Sequence, residues 1–82
     1  MRTRTPRLIL AARALRRITL ARAAGRVSVA QWERWTARMH ARGLLFPVEL
    51  AHAQGVADTL EALPLARRIH MVDLLEDVWR LA

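Results

Sequence analysis

The chain predicts an all-α fold: a small bundle of four helices, or five if the first one bends. Three observations carry this. Proline, glycine and hydroxyl residues fall where helices start and stop, at Thr5-Pro6, Gly25, Ser28, Gly43, Pro47 and Leu63-Pro64. Between them, apolar residues recur at helical spacing. No stretch alternates with period two, and no Asn-Gly or Asp-Gly hairpin turn occurs. With 82 residues and no internal repeat, one helical domain over 1–82 with a small core is expected.

Thr5 is a good N-cap and Pro6 suits the first helical position, so the first helix starts there and stops near Gly25. Leu8, Ala11, Leu15 and Ile18 share one face, with Arg13, Arg16 and Arg17 nearly opposite. Ile9, Leu10 and Leu20 blur that pattern, and a bend near Arg17–Thr19 would split the segment in two. Ser28 and Gln31 have the spacing of a capping box, opening a helix from Val29 to about Arg42 that ends at Gly43. Its expected buried stripe is Val29, Trp32, Trp35, Thr36 and Met39; Gln31, Arg34, Arg38 and Arg42 form the outer stripe. Pro47, with Glu49 two residues on, opens a third helix reaching Ala62, weakened at Gly55, where a kink or break is expected. Leu63-Pro64 opens the fourth, which has two apolar rows. If Leu65, Ile69, Val72, Leu75 and Trp79 pack inward, Met71, Leu74, Val78 and Leu81 face a partner.

Charge divides the chain. All 14 basic residues are Arg, set against seven acids. Residues 1–42 hold 11 Arg and the single acid Glu33, near +10; residues 43–82 hold three Arg and six acids, near −3. That asymmetry points to an anionic partner for the N-terminal half. The absence of Cys removes a disulfide framework, thiolate metal sites and a cysteine nucleophile together, which favours an intracellular, cytoplasmic protein. No apolar run approaches the ~18 residues needed to span a bilayer. Met1 to Arg26 is Arg-rich and acid-free, but it lacks the Ser enrichment of a transit peptide and reads as part of the fold.

Catalysis is not expected. The one Ser is assigned to a helix cap, and His40, His52 and His70 are scattered. His70 and Asp73 sit one turn apart with no nucleophile in view, so a surface pair is the simpler reading. No metal-ligand spacing and no Gly-rich phosphate loop occurs, so no metal, cofactor or small-molecule substrate is expected.

Residues 18–45, ITLARAAGRVSVAQWERWTARMHARGLL, resemble the helix-turn-helix core of bacterial DNA-binding regulators. The matching features are Leu20-Ala21 in a first helix, Gly25 at the turn, Ser28 capping the second helix, Trp32, Trp35 and Met39 at buried positions, and Gly43-Leu44 closing it. The resemblance implies that residues 29–42 form a recognition helix laid in the major groove. The turn is one residue longer than the common Gly-x-Ser form, and Phe46-Pro47-Val48-Glu49 reads as helix where a wing would stand. Gln31 and Arg34 lie near the helix N-terminus, and their residue types read adenine and guanine. Arg38 and Arg42, with Arg13, Arg16 and Arg17, can pair with phosphates. The plainer alternative is an ordinary bundle whose Arg stripe is solvated. At i, i+3, Trp32 and Trp35 point to core packing rather than base stacking.

The expected function is therefore a small non-enzymatic DNA-binding protein, such as a dimeric regulator or a phage or plasmid accessory factor. The rival is an adaptor or small subunit docking onto a larger assembly through its Arg face and C-terminal helix. A homodimer or a larger protein partner would then cover Met71, Leu74, Val78 and Leu81.

Overall fold

The structure, a computed structural model, describes residues 5–81, with the backbone alone for Leu81. It has four helices and no strand among the described residues: α1 Pro6–Ala23, α2 Val29–Ala41, α3 Pro47–Glu61 and α4 Leu65–Leu81. α1 packs against all three others, and α3 also touches α4.

Local chemistry sets the helix ends. Thr5 Oγ1 accepts from the Leu8 N–H at 3.3 Å, and Pro6 stands in the first turn. After Ala23 the chain closes a Schellman motif: the Gly25 N–H donates to Arg22 O and the Arg26 N–H to Ala21 O, with Gly25 at φ 81°. α2 ends the same way at Gly43, φ 70°, where the Gly43 N–H donates to His40 O and the Leu44 N–H to Met39 O. The Ser28–Gln31 capping box is complete: the Gln31 N–H donates to Ser28 Oγ at 3.1 Å and the Ser28 N–H to Gln31 Oε1 at 2.9 Å. At α3 the Glu49 carboxylate accepts from the Phe46 N–H at 3.1 Å. α4 begins with the Pro64 carbonyl accepting from the Arg68 N–H, so Pro64 occupies the N-cap position.

Two apolar clusters lie on either side of α1. Ala11, Leu15, Trp32, Leu45 and Ala53 form one, joined by Ile18, Trp35 and Met39. Leu20, Ala23, Leu60 and Val72 form the other, joined by Met71, Leu75 and Trp79. Burying each of the large side chains contributes roughly 1.5–3 kcal/mol over leaving it in water.

Several expectations are corrected. α1 is not split into two helices near Arg17–Thr19. Thr19 donates its hydroxyl to the Leu15 carbonyl at 2.6 Å, and the helix runs unbroken to Ala23. Gly55 does not break α3, which continues to Glu61. Val29 is 43% exposed rather than buried; as the first residue of α2 its Cβ tilts back off the helix end. On α4, Leu65 and Ile69 do not pack inward, being 61% and 44% exposed. The inward position in that first turn belongs to Arg68, whose Nη2 donates to the Glu61 and Leu63 carbonyls at 3.1 Å each. Met71, assigned to the partner-facing row, instead packs half-buried on the second cluster.

Candidate nucleic-acid interface

One arginine of the basic half serves the interior. Arg22 is 7% exposed. Its Nε and Nη2 donate to the two Glu61 carboxylate oxygens at 3.3 and 2.9 Å, and its Nη1 donates to Gln54 Oε1 at 3.3 Å. Asp58 lies 3.9 Å away. The guanidinium also stands over the Trp32 ring, 4.8 Å from its centroid. Trp32 in turn donates its indole N–H to Thr19 Oγ1 at 3.0 Å. Side chains of α1, α2 and α3 thus meet through two groups of hydrogen bonds joined by the Arg22 guanidinium over the Trp32 ring. The charge count alone hid this residue. The signal available was its spacing, since Arg22 continues the Ala11, Leu15, Ile18 face by four residues.

Acids of the C-terminal half neutralise two more arginines. Arg26 donates to Glu76 Oε1 at 3.0 Å, tying the α1–α2 turn to α4, and Arg80 lies 3.7 Å from Asp77. The remaining arginines of the basic half are a different population. Arg13, Arg16 and Arg17 are exposed and line an open cleft of about 850 Å³ between α1 and α4, together with Arg26, Glu76, Trp79 and Arg80. Arg16 stands 5.7 Å from the Trp79 ring centroid. No acid pairs with Arg13, Arg16 or Arg17 among the described residues.

Arg34, Arg38 and Arg42 are exposed along α2 and also lack an acidic partner among the described residues. Gln31 shares that exposed face, but its Oε1 is engaged in the capping box, so only its amide donors are uncommitted. None of these four side chains lines the α1–α4 cleft. The basic residues therefore form two sets, a convex one on α2 and a concave one between α1 and α4. Trp32 is buried and Trp35 half-buried in the first cluster, which places both in packing roles.

Leu74 and Val78 are 44% and 58% exposed on α4, beside the exposed acids Asp73 and Asp77. The Leu81 side chain lies outside the described residues. His40 Nδ1 is 3.0 Å from the Leu45 carbonyl, while His52 and His70 are exposed on other helices. Among the described residues no three His or acidic side chains converge in a way that could hold a metal ion, and no helix is long and apolar enough to cross a membrane. Comparison with known proteins found no matching family model, no matching curated protein and no matching solved structure.

Proposed function

We propose that this is a small non-enzymatic, cytoplasmic DNA-binding protein. The observation that carries the reading is a residue of unmatched charge. Seven exposed arginines from Arg7 to Arg42 have no acidic partner among the described residues, whereas Arg22 and Arg26 use Glu61 and Glu76. Exposed guanidiniums in that number are a footprint for phosphates. α2 is the element suited to a major groove: a capped helix held by Trp32, with Arg34 and Gln31 near its N-terminus, Arg38 further along and Arg42 at its C-cap. Gel-shift titration against a pool of random duplexes at low salt tests it. Retardation is expected, with Arg34→Ala narrowing the difference between preferred and other sequences and Arg38→Ala weakening all of them alike. A chain that retards no duplex at low salt removes the reading.

A second reading adds a homodimer. Leu74 and Val78 form an exposed apolar pair flanked by Asp73 and Asp77. A chain that stays monomeric at high micromolar concentration removes this addition and leaves the first reading untouched.

A further inference from the structure

The concave basic set has properties that a duplex-binding face does not need. Its volume of about 850 Å³ lies within the roughly 300–1,000 Å³ typical of small-ligand sites. Five guanidiniums line it; Arg26 engages Glu76 at 3.0 Å and Arg80 lies 3.7 Å from Asp77, so Arg13, Arg16 and Arg17 are the three with no acidic partner among the described residues. Arg13, Arg16 and Arg17 stand at i, i+3 and i+4 of one helix, where neighbouring Cβ atoms are about 5–6 Å apart and like charges repel. A single carboxylate could offset only a fraction of that field, whereas linked phosphates present several charges and many acceptor oxygens to forked donors. The convex α2 face suits the major groove of a duplex, whereas a concave cleft suits a slimmer ligand that can enter it. Trp79 supplies an aromatic wall beside Arg16, and the pair also borders the neighbouring groove formed with Val48 and His52 of α3.

We propose that the α1–α4 cleft is a binding site for a polyphosphate anion, held by Arg13, Arg16 and Arg17, with Glu76 as a competing internal anion on Arg26 and Asp77 on Arg80. The site goes beyond duplex binding by α2 and can be right or wrong independently of it. The polyphosphate can come from a free compound or from the flexible backbone of a single nucleic-acid strand, since the phosphate chemistry is shared.

The test is calorimetric titration of the whole chain with inorganic tripolyphosphate at low salt, with the three indole N–H resonances followed by NMR. Saturable binding is expected, with the Trp79 resonance moving and that of buried Trp32 staying in place. The Arg13→Gln/Arg17→Gln double variant should lose at least about tenfold in affinity, the value of one good charge-assisted contact. The control pair on α2, Arg38→Gln/Arg42→Gln, should bind tripolyphosphate as the parent does. Glu76→Gln should bind it more tightly, about threefold, and a gain of affinity cannot come from unfolding. No saturable binding, equal weakening by the α2 pair, or a loss of affinity in Glu76→Gln each overturns the proposal. Adding a short thymidine oligonucleotide then separates the sources: displacement of tripolyphosphate assigns the cleft to a strand, and its absence assigns it to a free polyphosphate. Duplex retardation measured on the same variants keeps the two sites apart, because tripolyphosphate binding without retardation defeats only the duplex reading.

Discussion

Arg22 and Glu61 meet through two hydrogen bonds, 3.3 and 2.9 Å long, across the α1–α3 contact, with the arginine side chain 5% exposed and the glutamate 28%. An ion pair in that position is more a device for fixing geometry than a large net source of stability, because desolvation offsets much of the attraction. Breaking it from one side is another matter, since Arg22 would then be a buried charge left with only Gln54, the Trp32 ring and Asp58 at 3.9 Å.

Glu61→Ala is accordingly expected to cost about 2–3 kcal/mol, less than a fully buried pair because Glu61 keeps some solvent. The double variant Arg22→Met/Glu61→Leu should recover most of that loss. Urea denaturation of both proteins measures it, and a double variant less stable than Glu61→Ala would show that the pair itself supplies the stability.

The Thr19 hydroxyl accepts from Trp32 while donating to Leu15 O. Thr19→Val keeps the volume and removes the acceptor, leaving a buried indole N–H without a partner, for about 1–3 kcal/mol of destabilisation. Thr19→Ser keeps the hydroxyl and should lose clearly less. Equal denaturation midpoints for the two variants would contradict the role given to the hydroxyl.

Ser28→Ala removes the cap of α2 and should cost about 1 kcal/mol. Gln31→Ala should cost stability as well, because its Oε1 holds the Ser28 N–H. Gln31→Glu retains an acceptor and should preserve the fold. Thermal unfolding followed by circular dichroism separates the cap from any loss of DNA discrimination in the same variants.

On α4 the exposed pair and the half-buried neighbour should behave oppositely. Leu74→Glu/Val78→Glu is expected to leave helicity intact and to abolish self-association, whereas Met71→Glu places a charge against the second cluster and should unfold the chain. Sedimentation and circular dichroism on the two proteins check both outcomes. A wild-type monomer at high concentration contradicts the homodimer alone.

What the sequence made legible was mostly local. Thr5, Pro6, Gly25, Ser28, Gln31, Gly43 and Pro47 mark helix ends because capping depends on residues three or four apart. The face of α4 was not legible, since Leu65 and Ile69 lie on the same helical row as Val72 and Trp79, and only the end of α3 decides that Arg68 takes the inward place. Arg22 continues the inward face of α1 by spacing, but its partners Gln54 and Glu61, 32 and 39 residues away, are given by no local pattern. The basic residues of the candidate interface were identifiable singly, but their division into a convex and a concave set depends on how α4 packs along α1.

Salt dependence of duplex affinity tests the central claim most directly. If a set drawn from the seven unpaired arginines meets phosphates, log affinity should fall linearly with log salt, with a slope between about −3 and −6, and Arg38→Ala should reduce its magnitude by about one. A slope near zero, or duplex affinity unchanged by any of these arginine substitutions, would contradict nucleic-acid binding by the basic half.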